Sequence, residues 1–169
     1  MLPRRLVPDR FEVPERVEGP GFVIVPLTPD LLPKDYEAYM SSVAHLKGHL
    51  QPGSTWPEGA SLGDAIVDLC WVEQERRYRS SFAYAAMTPD ESMELGCVYV
   101  YPTLKTGFDA EVNLWVRQSE YDKGFDDVLY RFAKRWVAES WPFRSVAFPG
   151  REIPWPEWER LPDKEPLTL

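Results

Sequence analysis

Residues 110–129, AEVNLWVRQSEYDKGFDDVL, join two different patterns across one loop. The first seven residues, AEVNLWV, form a short run rich in apolar and aromatic residues and predict a strand. From Phe125 onward apolar residues recur at helical spacing. Phe125, Val128, Leu129, Phe132, Trp136 and Val137 share one face of a helix that reaches about Glu139. Asp126 and Asp127 fall in its first turn, where the positive end of the helix dipole favours carboxylates. RSVAFPG (144–150) follows as the last strand, which makes the segment a strand–helix–strand crossover.

Working back toward the N-terminus, SSFAYAAM (80–87) and MELGCVYVYP (93–102) flank the turn TPDES and predict a hairpin. Ser61 followed by Asp64 is a capping-box start for a helix with Leu62, Ile66, Leu69 and Glu73 on one stripe. Cys70 sits beside that stripe, and both it and Cys97 read as buried small hydrophobes. FVIVPL (22–27) predicts a strand, and Thr28-Pro29 a helix start after it, with Leu32, Tyr36, Met40 and Val43 at helical spacing. An antiparallel meander followed by a crossover gives a mixed α+β sheet, mostly antiparallel and flanked by helices. Its ligand site belongs where two neighbouring strands diverge, beside the N-terminus of the crossover helix. Residues 1–20 read as an irregular arm, 21–150 as the single domain, and 151–169 as a Pro-rich tail with little regular structure.

Composition narrows the function classes. The 169 residues carry 19 Lys+Arg against 27 Asp+Glu, a net charge of −8, which argues against nucleic-acid and anionic-membrane partners. No apolar run approaches the ~20 residues of a membrane span, and the first residues lack the apolar core of a secretory signal. Two cysteines build no disulfide framework, and a cytoplasmic setting is the expectation. The 17 prolines predict many irregular connections.

The strand–loop–helix block resembles the GNAT N-acetyltransferase superfamily, in particular its ribosomal-protein N-acetyltransferase branch. The features that carry the likeness are Glu111 near the strand start, Trp115-Val116 near its end, and Lys123-Gly124 opening the helix. The paired helices after the first strand, the loop holding Trp56-Pro57 and the hairpin also fit, with the chain shortened after the last strand. The resemblance implies direct transfer of an acetyl group from acetyl-CoA to an amine, with Glu111 as general base. The backbone of Leu114, Trp115 and Val116 would hold the pantetheine arm and acetyl carbonyl, and the loop around Lys123, Gly124 and Phe125 the diphosphate of coenzyme A. No Tyr follows Gly150, which leaves Tyr121, Tyr101 or water to protonate the departing thiolate. The acidic balance suits a cationic acceptor, and a homodimer is a further candidate assembly. The alternative is a catalytically silent module of the same fold that binds a small molecule or a protein.

The diphosphate loop departs from the superfamily pattern: of its three defining positions, here Tyr121, Gly124 and Asp126, only Gly124 conforms. A carboxylate at Asp126 competes with phosphate for the same N–H groups, and two like charges ~5 Å apart repel by about 3 kcal/mol at an effective dielectric of 20. Two arrangements stay open: Asp126 points outward and cofactor binding survives, or Asp126 and Asp122 fill the place of the diphosphate. His45 and His49, four residues apart, read as solvated rather than as a metal pair, so no metal is expected. Trp136, Trp141, Trp155 and Trp158 read as anchors of the tail or core, and Arg76, Arg77 and Arg79 as a solvated helix end.

Overall fold

The computed structural model describes residues 4–165; the first three residues of the arm and the last four of the tail lie outside the described residues. Six strands lie in chain order across one sheet: β1 (Val17–Gly19), β2 (Phe22–Pro26), β3 (Phe82–Met87), β4 (Glu94–Pro102), β5 (Ala110–Val116) and β6 (Val146–Ala147). Every neighbouring pair is antiparallel except β5–β6, which is parallel through Ala110↔Val146 and Glu111↔Ala147. The helices are α1 (Leu32–Met40), α2 (Val43–Leu46), α3 (Leu62–Tyr78), α4 (Gln118–Tyr121), α5 (Phe125–Ser140) and α6 (Trp155–Arg160). The mixed, mostly antiparallel α+β sheet expected from the sequence is present.

The sheet separates two apolar layers. On one face α5 buries Leu129, Phe132, Ala133, Trp136 and Val137 against β2–β5, each large side chain contributing on the order of 2 kcal/mol. Val128, at the edge of that stripe, stays exposed. On the other face α1–α3 cover Val23, Ala85, Met87, Cys97 and Trp115. A register shift at Ala86/Met87 leaves Leu95 as an extra residue in β4. That bulge lets Glu94 turn toward the same layer as Cys97.

Several expectations are corrected. Val17–Gly19 of the arm pairs with β2, and Val7 is buried in the α5-side core. Arg76 and Arg79 are not a solvated helix end: Arg79 donates to the carbonyls of Pro8 and Phe11 and Arg76 to that of Pro14, clamping the arm. Cys70 is exposed, as is Leu62, and α3 buries Ala65 and Leu69 instead. The helix expected through Val43 breaks at Ser41-Ser42. The last strand shrinks to two residues because the chain turns sharply at residues 148–151, where Phe148 O accepts from the N–H groups of Arg151 and Glu152. The tail forms α6, which packs Trp158 against Phe108.

Candidate functional site

Two compartments meet at β5. The first is a cavity of about 870 Å³ under α1 and α3. Its floor is the outward row of β4 and β5, namely Tyr99, Tyr101, Glu111 and Asn113, and its rim includes Asp68, Trp71 and Glu75 of α3 and Trp56 of the loop before it. Trp155 and Trp158 of α6 complete the wall. Tyr99 and Tyr101 stack with ring centroids 5.5 Å apart, and Trp115 Nε1 donates to Tyr99 Oη at 3.0 Å. Asp35, Asp68, Glu75, Glu111 and Glu159 line the space, with Lys105 as its one cation among the described residues. Lys105 is already engaged by Asp163 at 2.8 Å and by the Leu161 carbonyl at 2.9 Å.

Glu111 is half-buried on this floor. Burial raises its carboxyl above the ordinary range, against the opposing hydrogen bonds of Thr103 and Asn113. Asp68 is likewise raised, by burial and then by Asp64. A carboxylate lifted toward neutrality at a cavity floor is suited to taking a proton from an ammonium.

The second region is the stretch of β5 beyond its two-residue pairing with β6, beside the N-terminus of α5. Leu114, Trp115 and Val116 are buried, so only their main chain can face a ligand. Gly124 takes a left-handed φ of +83°, and no side chain caps α5. Lys123 is exposed and ion-paired with Glu120 at 2.8 Å, and Phe125 packs edge-on against Phe22. Asp126 does not point outward. Both its oxygens accept from Arg151 at 2.7 Å, and the two side chains keep only 18% and 20% of their surface exposed. Burial pushes the Asp126 carboxyl up, but the Arg151 bonds and charge outweigh it and hold it low. Asp122 is bound by Gln118 at 2.7 Å. The Asp122, Lys123 and Gly124 N–H groups are spent on the carbonyls of Gln118, Glu120 and Tyr121, because the expected open loop is wound into α4.

The histidines are not solvated: His49 Nε2 lies 3.2 Å from Leu114 O, with Arg151 Nη2 3.5 Å from the same oxygen. Burial, and then Arg151, push His49 down. Tyr121 is 46% exposed, its ring centroid 4.4 Å from that of His45. It stands at the far end of β5 from Glu111, outside the cavity lining. Trp136 and Trp141 are core, and Trp141 also receives Phe11 of the arm.

Sequence reasoning passed over two groups. Arg151 carried no motif, and its partner is 25 residues away. Asp35, Glu94 and Cys97 bring their ligand atoms within 4.8 Å of one another, with Cys97 Sγ 3.1 Å from Glu94 Oε1. Burial pushes all three up, Asp35 to about 6. Among the described residues this is the one group of three metal-ligating side chains in mutual reach.

No protein-family model matches the sequence, and no curated protein matches it at the sequence level. Solved structures do match in fold. A ribosomal-protein-S5-alanine acetyltransferase from Vibrio fischeri is 15% identical, with a TM-score of 0.58 over 73% of this chain and 67% of that one. A ribosomal L7/L12 alpha-N-protein acetyltransferase in complex with coenzyme A is 12% identical, with a TM-score of 0.57 over 73% and 68%. A spermidine N-acetyltransferase chimera from Vibrio cholerae is 12% identical, with a TM-score of 0.51 over 69% and 63%. The strand order, the parallel β5–β6 pair around α5 and these likenesses together show that the chain has the fold of the GNAT acetyltransferases.

Proposed function

We propose that the protein is an N-acetyltransferase that moves an acetyl group from acetyl-CoA directly to the amine of a cationic acceptor. The observation that carries this reading is the acidic, aromatic-walled cavity on one side of β5, with Glu111 on its floor. Aromatic faces and carboxylates are complementary to an ammonium group. Glu111 accepts the amine proton, directly or through water, as the nitrogen bonds to the acetyl carbon. Tyr121, at the far end of β5 from Glu111 with its ring against His45, is the proton donor that this reading retains for the departing thiolate.

The residues at the start of α5 suit coenzyme A in kind. The N-terminus of α5 lacks a side-chain cap, a Cβ at Gly124 would meet nothing within 4 Å, and the positive charges of Lys123 and Arg151 are balanced by Glu120 and Asp126, which a diphosphate would have to displace. The main chain of Leu114, Trp115 and Val116 would hold the pantetheine arm, and Lys123, Gly124 and Phe125 the diphosphate. When bound, acetyl-CoA supplies the acetyl thioester.

A second reading, a silent ligand-binding module, is favoured by three observations: Leu114 O is covered by His49 and Arg151, Asp126 turns inward onto Arg151, and the N–H groups of Asp122, Lys123 and Gly124 are already bonded within the α4 turn. Calorimetry with acetyl-CoA separates the two. Micromolar binding is expected, and Glu111→Gln should slow acetylation by about 100-fold or more with little change in cofactor affinity. Absence of heat at millimolar acetyl-CoA with the folded protein rejects the enzyme, and an unchanged rate in Glu111→Gln rejects its role as base.

A further inference from the structure

Arg151 stands at the first turn of α5 and grips an anion there, the Asp126 carboxylate. Its two terminal nitrogens meet the two oxygens of Asp126 at 2.7 Å each, and its guanidinium carbon lies 5.5 Å from the Tyr130 ring centroid. A guanidinium fork recognises carboxylate and phosphate with the same planar two-point geometry. The carboxylate it holds belongs to the first turn of α5, where the helix dipole already favours negative charge. That turn is the place this fold would offer a diphosphate, and Arg151 reaches it from a turn rather than from a strand.

We propose that Arg151 is the side chain that receives the diphosphate of coenzyme A, and that Asp126 holds the guanidinium at the N-terminus of α5 as an internal stand-in until the cofactor displaces it. This rests on the acetyltransferase reading above. A diphosphate brings more charge and more acceptor oxygens than one carboxylate, so it can win the fork. The exchange leaves Asp126 without its partner, and the observed affinity is lowered by the fraction of molecules in which Arg151 is free. Asp127, the next residue, is paired with Arg131 at 2.9 Å and does not touch Arg151, so it serves as the control for plain charge removal.

The test is calorimetry of the full chain with coenzyme A, and with inorganic pyrophosphate as competitor, after melting curves establish that each variant is folded. Asp126→Asn should tighten coenzyme A by about tenfold or more, the scale of 1.4 kcal/mol, whereas Asp127→Asn should change it less than about threefold. Adding Arg151→Met to Asp126→Asn should cancel the gain, and pyrophosphate should compete only where Arg151 is present. If the double variant binds as tightly as Asp126→Asn, or Asp127→Asn gains as much, Arg151 is not the receiver, although coenzyme A binding itself stands. If no folded variant binds coenzyme A at millimolar concentration, the acetyltransferase reading falls and this proposal with it.

Discussion

Asp35 is a residue whose charge state touches stability directly. It is 6% exposed beside Glu94 and Cys97, and burial lifts it from 3.8 to about 6. The folded chain therefore keeps a proton that the unfolded chain has released, and stability falls as pH rises through that window. Above both values the cost is constant, up to about 3 kcal/mol. Asn at this position carries no such penalty and can still accept from a protonated Glu94. Asp35→Asn should melt close to the parent at pH 4 and several degrees above it at pH 7, with the gap opening between. His49, pushed down by burial, works in the opposite direction but equally in both proteins, so it drops out of the difference. A constant or shrinking gap in calorimetric melts from pH 4 to 7 would show that the cluster ionises freely.

Among the elements, the β4–β5 ladder carries the tightest contact. A Cβ on Gly96 would lie 2.1 Å from Trp115 O and 2.8 Å from Val116 Cα, both backbone atoms that cannot step aside. Gly96→Ala should cost more than about 3 kcal/mol by prising the strands apart, read as a lower urea midpoint, and a loss within error would mean the ladder yields there. Nothing in LGCVYV marks this glycine as different from a flexible one, since the demand comes from a strand some twenty residues away. Local signals fared better. The Ser61–Asp64 capping box forms as its spacing implies, and α5 begins at Phe125 because Gly124 supplies the left-handed entry. The tail misled because prolines look like breakers, yet Pro156 sits in the first turn of α6, where its missing N–H is harmless. Cys70 misled because the apolar residues of α3 are scattered around the helix, with Leu62, Val67 and Trp71 exposed, so periodicity could not tell which face the sheet would take. The Arg151–Asp126 pair and the His49 contact exist only once β6, α5 and the loop after α2 converge.

Over the whole molecule, the charge of −8 and the carboxylates around the cavity act together. Long-range attraction draws a cation toward the surface, and salt weakens it over a Debye length of ~10 Å at 0.1 M. If the cavity takes a cationic acceptor as proposed, Asp68, Glu75 and Glu111 on its lining would each attract a positive charge, so a polyamine would gain more than a single ammonium. Spermidine should therefore quench the fluorescence of Trp56 and Trp71 at lower concentration than butylamine. Its apparent affinity should drop by about tenfold between ~50 and ~300 mM NaCl, and butylamine's by clearly less. Glu75→Gln should flatten the spermidine dependence without altering coenzyme A binding, because Glu75 lies on α3, across the sheet from α5. Equal salt slopes for the two amines, or binding of a neutral alcohol of the same length as tight as that of spermidine, would mean that the cavity selects its ligand by shape and not by charge.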